Sequence, residues 1–121
     1  MGRSNQGSGE PRREILYVDD CADALVYIMK TYSGLEHLNV GSGEDVSINQ
    51  LAQLIGAAVK FKGHFVNDRS KPNGTPQKLL DSSRLTRLGW QPTTSLGEGI
   101  RRTYQWYLVS RTVARKIAAR R

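Results

Sequence analysis

Short strand signals alternate with helix signals along these 121 residues, which restricts the chain to an α/β arrangement. Apolar, β-prone residues predict strands over 14–18, 37–40 and 65–66. Helices are predicted over 22–30, over 48–60, over a short segment that stops at Gly89, and over a long segment after Ser95. Because the strands are few and short, we expect a small mixed lobe of short strands and helices, packed against something else.

The first predicted helix has an apolar stripe with helical spacing. Its members recur at i, i+3, i+4 and i+7, and they are Ala22, Leu25, Val26 and Met29. This spacing predicts that one face of the helix is buried. Asp19 and Asp20 precede the stripe, where a carboxylate can cap free backbone N–H groups and face the positive end of the helix dipole.

Three further boundaries have local signals. Ser47 with Gln50 three residues later predicts a capping box for the helix over 48–60. Ser82 or Ser83 is expected to cap the short third helix. Residues 71–78 contain two prolines and an Asn-Gly pair, so an irregular loop is predicted there.

The positive charge is confined to one end of the chain. The formal net charge is +7, from 18 Lys and Arg against 11 Asp and Glu. Residues 101–121 contain seven basic side chains and no acidic one, so the other residues sum to zero. Any polyanion-binding function would therefore rest on residues 101–121, of which 109–121 form a basic C-terminal tail.

Composition excludes several other classes of protein. Cys21 is the single cysteine, so no intramolecular disulfide is possible, and with His37 and His64 it makes no zinc signature. No stretch of about 18 apolar residues predicts a membrane span. Residues 1–6 are polar and are expected to be disordered, without the apolar segment of a signal peptide. A cytoplasmic location follows by default.

Redox and nucleophilic machinery is not predicted. The turn at residues 41–43 has two glycines but is followed by Glu44 and Asp45, which would repel a pyrophosphate. None of the five tyrosines has a lysine four residues later, the pair that short-chain reductases need. We therefore assign no catalytic, cofactor-binding or metal-binding residue to this chain and expect no bond chemistry from it alone.

Cations flank two turn-rich segments. Arg12 and Arg13 follow a Gly-Ser-Gly turn, and Lys71 and Lys78 bracket the proline-containing loop. A stiff loop with a cation at each end suits a diphosphate, because prolines reduce the ordering cost of binding. In the alternative interpretation, Arg12 and Arg13 pair with Glu10 and Glu14, and the two lysines are solvated.

The amino-acid sequences of five segments resemble those of a known protein family. Residues 7–20 (GSGEPRREILYVDD), 39–43 (NVGSG), 70–81 (SKPNGTPQKLLD), 88–92 (LGWQP) and 99–106 are the segments concerned. Together they resemble extended short-chain dehydrogenase/reductases of the NAD-dependent epimerase/dehydratase family that act on nucleotide sugars. The loop at 70–81 is similar in particular to the GDP-L-fucose synthase family. The match spans about residues 7–108 and concerns only the C-terminal, substrate-binding part, without the Rossmann domain.

The resemblance implies a function for the lobe. Complete members use NADP, epimerise GDP-4-keto-6-deoxy-mannose at two carbons and reduce its ketone. Arg13 matches an arginine near the substrate diphosphate, and Lys78 matches a lysine of the substrate loop. Asn73 stands where an aspartate is usual, and His64 where some members have a binding arginine. These four residues are the expected substrate-binding residues for a GDP-sugar.

Two alternatives remain at this point. The chain could be a fragment of another nucleotide-sugar epimerase or dehydratase, or a basic interaction module acting through residues 101–121. If it is half of a split enzyme, its partner would be a separate Rossmann-domain chain.

Overall fold

The computed structural model describes residues 2–118, which form short strands and helices in alternation. In chain order these are β1 (Gly2–Gln6), β2 (Arg12–Glu14), α1 (Val18–Thr31), β3 (Asp45–Ser47), α2 (Ile48–Ala58), β4 (His64–Asp68), β5 (Gln77–Lys78), α3 (Ser83–Arg87) and α4 (Leu96–Ala118). The expected small mixed α/β lobe is confirmed.

The strands form two small sheets. In the first, β2 lies between β3 and β5, antiparallel to β3 and parallel to β5. In the second, β1 runs parallel to β4, from Gly2 opposite His64 to Gln6 opposite Asp68. Disorder is predicted for residues 1–6, and in the structure Gly2–Gln6 form β1, because β4 supplies the pairing partner for this polar segment.

Two strand predictions need correction, and one is confirmed. The strand expected over 14–18 is right only at Glu14, since α1 already begins at Val18. The range 37–40 is not a strand, although Val40 packs against the core. An apolar run becomes a strand only beside a hydrogen-bonding neighbour, and no strand among residues 2–118 pairs with this one. The strand at 65–66 is confirmed within β4.

Helix α1 buries a different face from the one predicted. Asp20 and Ala24 are its buried residues, and Tyr27 and Ile28 pack against the core. The predicted stripe is exposed instead, with exposed fractions of 54% for Leu25, 49% for Val26 and 83% for Met29, and Ala22 is also exposed. Periodicity locates an apolar face, but only the tertiary contacts decide which face meets the core.

The buried core is small. Among the described residues, its buried apolar members are Ala24, Leu85 and Trp90. The indole N–H of Trp90 donates to Asp23 Oδ2 at 2.8 Å, and the hydroxyl of Tyr27 donates to the carbonyl of Leu88. These contacts fix the segment after α3 against α1.

The side chains of Ser47 and Ser95 cap the helices that follow them. The capping box of α2 is confirmed, because the Gln50 N–H donates to Ser47 Oγ at 3.1 Å and Gln50 Oε1 accepts from the Ser47 N–H at 2.9 Å. The Glu98 N–H donates to Ser95 Oγ at 3.3 Å, at the start of α4. Ser82 precedes α3 without a capping hydrogen bond from its side chain.

Candidate anion-binding site

The parallel pairing of β2 with β5 places two cations side by side. Arg13 and Lys78 are register partners, so their side chains leave the sheet on the same face, from strands about 4.8 Å apart. Like charges directly opposite each other on a sheet are destabilising. The ion pairs found among residues 2–118 involve other arginines and include neither Arg13 nor Lys78. This face therefore presents two positive charges that an anion can neutralise.

The guanidinium of Arg13 is held against the proline-containing loop. Its Nη1 donates to the carbonyl oxygens of Arg12 at 2.7 Å and Thr75 at 2.8 Å. Nη2 lies beside Gly74, where an added Cβ would be 3.1 Å away. The loop thus orients the charge of Arg13 without neutralising it.

Arg12 has a separate role from its neighbour. Its Nε donates to Asp45 Oδ1 at 2.6 Å, and Gln77 Nε2 donates to Asp45 Oδ2, so one carboxylate joins all three strands of the sheet. The hydrogen bond from Gln77, followed by that from Arg12, lowers the pKa of Asp45. The alternative pairing of Arg12 with Glu10 or Glu14 is wrong in this structure, because Asp45 is its partner.

Glu14 makes contacts that sequence reasoning missed. Its Oε1 accepts from the Gly43 N–H at 2.8 Å, and its Oε2 accepts from the Leu80 N–H at 3.0 Å. Both partners are distant in sequence, so no local pattern could have indicated them. Because the Gly43 N–H is occupied by a carboxylate, the turn at 41–43 does not fit a pyrophosphate, as its acidic continuation had suggested.

Asn73 joins two loops near the cation pair. Its Oδ1 accepts from the Ser8 N–H at 2.8 Å and its Nδ2 donates to Ser8 Oγ at 3.1 Å. His64 lies elsewhere, opposite Gly2 at the start of β4. At the other end of β4, the carbonyl oxygen of Asp68 accepts a hydrogen bond from the Gly7 N–H. The five-residue strand places His64 roughly 13 Å from Asp68. The fold therefore gathers Arg13, Lys78 and Asn73, but not His64.

A pocket of about 400 Å³ opens beside Arg13. Its other walls include Ile15–Tyr17, the turn at 41–44, and residues 90–96. This volume lies in the range of small-molecule sites. The lining combines apolar side chains with hydroxyls and backbone groups, which is typical of a ligand pocket.

Buried Asp20 holds one wall of this pocket. It accepts from the Thr94 N–H at 2.9 Å and from the hydroxyls of Thr93 at 3.1 Å and Thr94 at 3.2 Å. Burial raises the pKa of Asp20, but the hydrogen bonds from Thr94 and Thr93 outweigh it and lower the pKa overall. The expected capping role is therefore wrong, since the residue before α1 is Tyr17, without a capping bond, and the Asp20 carboxylate serves the Thr93–Thr94 segment.

Part of the basic segment is neutralised locally. Arg101 and Arg102 both pair with Glu98, and the hydrogen bonds from Arg101 and then Arg102 lower the pKa of Glu98 to about 2. Helix α4 continues through the tail to Ala118, and residues 119–121 lie outside the described range. A basic interaction module at 101–121 stays a prediction, which steeply salt-dependent binding of heparin would support.

Known proteins resemble this chain over most of its length. A model of the NAD dependent epimerase/dehydratase family matches residues 4–41. A putative GDP-L-fucose synthase 2 of Arabidopsis thaliana is 58% identical over 102 residues, which are 84% of this chain and 31% of the relative. The GDP-L-fucose synthase of Escherichia coli K12 is 49% identical over 111 residues, covering 84% of this chain and 35% of the relative. Over this length, the chain is similar to GDP-L-fucose synthases.

Solved structures of similar proteins also superpose on this chain. A GDP-L-fucose synthetase from Naegleria fowleri bound to NADP superposes with a TM-score of 0.86 at 32% identity, covering 92% of this chain and 36% of that one. The chain thus spans about a third of the length of the GDP-L-fucose synthases it matches. Among residues 2–118, none of the helices combines the length and the hydrophobicity that a membrane span requires.

Proposed function

We propose that residues 7–108 are the GDP-sugar-binding lobe of an enzyme of the GDP-L-fucose synthase type, with the diphosphate held between Arg13 and Lys78. The observation that carries this proposal is their opposed position on β2 and β5, with no carboxylate paired to either among the described residues. The homology over most of the chain supports it.

The two cations suit a diphosphate for different reasons. A guanidinium donates in parallel to two phosphate oxygens, whereas an ammonium acts as a compact point charge. A bound diphosphate also relieves the repulsion between the two side chains. The contacts of Arg13 with Thr75 and of Asn73 with Ser8 already order the loop, so less entropy is lost on binding.

Asn73 and His64 have lesser roles in this proposal. Asn73 acts by holding the loop at residues 71–76, because its Oδ1 and Nδ2 already bond with Ser8. His64 has no contact with the diphosphate, since β4 places it away from Gly7 and the cation pair. Its place is a more distant contact with the substrate.

The complete reaction belongs to more polypeptide than the described lobe. In this proposal the sugar is a GDP-4-keto-6-deoxy-hexose, which the whole enzyme epimerises and reduces, and NADP in its reduced form supplies the hydride. The residues at 41–45 do not fit that cofactor, since Glu14 occupies the Gly43 N–H and Glu44 and Asp45 add negative charge. The lobe binds and orients the nucleotide end, and a cytoplasmic location belongs to the same proposal, testable by cell fractionation.

Calorimetric titration with GDP tests the binding site. We expect binding by the wild-type chain that weakens about a hundredfold in the double variant Arg13→Ala, Lys78→Ala, since two charge-assisted contacts are lost. Lys62→Ala removes an exposed lysine on the segment before β4 and serves as the matched control. Equal affinities for the double variant and the control would refute the roles of Arg13 and Lys78.

The exposed face of α1 supports a second part of the proposal. Leu25, Val26 and Met29 form an apolar surface, and the relatives are about three times as long as this chain. We infer that the cofactor-binding part of such an enzyme, in the same or a separate polypeptide, covers this face. Isolated apolar side chains are common on surfaces, but a contiguous helix face is typical of an interface.

A reconstitution experiment tests this interface. The remaining N-terminal part of the Arabidopsis relative would be expressed separately and mixed with this chain. We expect co-elution on size exclusion that is lost with Met29→Glu and kept with the control Lys30→Glu, because only the first substitution places a charge within the apolar face. Retention of the complex by Met29→Glu would contradict the assigned surface.

A further inference from the structure

The carboxylate of Glu14 joins two backbone segments that are distant from each other in sequence. One oxygen accepts from the Gly43 N–H at 2.8 Å and the other from the Leu80 N–H at 3.0 Å. Leu80 is two residues beyond Lys78, and Glu14 directly follows Arg13. The bridge therefore connects the strand that carries the arginine with the segment that carries the lysine.

The environment of this carboxylate is closely fitted. A Cβ added at Gly41 would lie 2.3 Å from Glu14 Oε1, so a glycine is required for the carboxylate to occupy its place. The φ angle of Gly41 is not in the left-handed region. The glycine is therefore required by the close approach of the Glu14 carboxylate, and not by backbone strain. Along β2, successive side chains alternate between faces, so Glu14 leaves the sheet on the side opposite to Arg13.

We propose that Glu14 is a positioning residue, whose carboxylate fixes the Leu80 backbone, and with it Lys78, at the spacing from Arg13 that a diphosphate needs. Strand β5 has only two residues, so its own ladder holds it weakly and a second attachment is required. This inference rests on the proposed function, because it explains how the geometry of that site is maintained.

The effect of neutralising Glu14 on the affinity for GDP distinguishes a positioning role from a purely electrostatic one. Glu14→Gln removes a negative charge near two cations, so electrostatics alone predicts tighter binding of GDP. Positioning predicts weaker binding, because an amide has one acceptor for the two N–H groups and turns its NH₂ toward the other. We expect an affinity loss of about tenfold, the effect of one hydrogen bond to a charged group.

One further test variant and two control variants make the test independent of a single substitution. Gly41→Ala keeps the charge but displaces the carboxylate, so we expect the same loss of affinity as in Glu14→Gln. Glu10→Gln removes an equal charge from an exposed neighbouring position, and Gly97→Ala adds a methyl group where nothing lies within 4 Å. Neither control should weaken GDP binding, and circular dichroism verifies that each variant is folded.

Calorimetry with GDP is combined with amide hydrogen exchange of Gly43 and Leu80. Faster exchange of both amides and weaker binding in Glu14→Gln and Gly41→Ala, with neither effect in the controls, would support the inference. The inference would be overturned if the two amides exchanged at the wild-type rate in Glu14→Gln and Gly41→Ala, or if these variants bound GDP as tightly as Glu10→Gln. Either result would leave the proposed function intact. If the wild-type chain does not bind GDP, the proposed function fails and so does the role of Glu14 in binding, whatever the exchange shows.

Discussion

The buried carboxylate of Asp20 should make a large contribution to the stability of this small lobe. Its side chain joins α1 to Thr93 and Thr94 through three hydrogen bonds, and the residue is only 6% exposed. The substitution Asp20→Ala removes all three acceptor contacts at once. It leaves the Thr94 N–H, which is fixed to the backbone, without a partner, whereas the two hydroxyls can rotate toward other groups.

The expected magnitude follows from these contacts. A hydrogen bond to a charged group contributes about 1.5–3 kcal/mol, and a buried donor left without a partner costs about 1–3 kcal/mol. Because the three bonds share one carboxylate and are not additive, we expect Asp20→Ala to lower the free energy of unfolding by about 3 kcal/mol. Asp20→Asn should lose only about 1 kcal/mol, since the amide oxygen can accept from the Thr94 N–H while its NH₂ donates to the hydroxyls.

The effect should depend on pH in a defined direction. Burial opposes the charged form of Asp20, but the bonds from Thr94 and Thr93 outweigh it, so the folded-state pKa lies below the ordinary 3.8. A depressed pKa adds stability that is present above the unfolded pKa and lost as pH falls through the folded pKa. The difference in stability between wild type and Asp20→Ala should therefore be full at pH 7 and should shrink as pH falls below 3.8.

Urea unfolding followed by circular dichroism measures both quantities. Asp19→Ala is the matched control, because Asp19 lies in the same helical turn but is exposed. A loss in Asp20→Ala no greater than in Asp19→Ala would refute the argument, as would a gap between wild type and Asp20→Ala that does not narrow in acid.

Three other predictions use different parts of the chain. Leu85→Ala should cost about 3 kcal/mol in urea unfolding, because Leu85 is 1% exposed, whereas Val26→Ala at a half-exposed position should cost much less. Glu98, with its pKa lowered to about 2 by Arg101 and Arg102, should support α4 above about pH 4.5 and lose that effect as pH falls toward 2. The helicity of Glu98→Gln, measured by circular dichroism, should accordingly fall short of wild type at pH 7, and the difference should shrink as pH falls toward 2; a constant difference would contradict this. Finally, the chain mixed with NADPH and GDP-4-keto-6-deoxy-mannose should consume no NADPH beyond the blank, and measurable loss of NADPH absorbance would overturn the exclusion of catalysis.

The outcome for individual residues shows which sequence signals could be trusted. The capping box of Ser47 and Gln50 was predicted correctly because its partners are three residues apart and need nothing else. The strand over 37–40 failed because a strand depends on a neighbour that the described residues do not provide. The face of α1 failed for a related reason, since small Ala24 allows the helix to approach Leu85 and Trp90, and hydrophobicity alone gave the larger Leu25 and Met29 more weight.

The candidate site divides along the same line. The sequence alone showed the arginine pair, the stiff loop with its flanking lysines, and the uneven distribution of charge. The sequence of the loop also showed the resemblance to nucleotide-sugar enzymes. The chain order alone determined these features, because each depends on residues close together in sequence. Only the tertiary structure decided that Arg13 faces Lys78, that Arg12 pairs with Asp45, and that Glu14 meets Leu80. Those contacts join residues 33–66 positions apart, and their partners are fixed by strand register and packing, which no local pattern specifies.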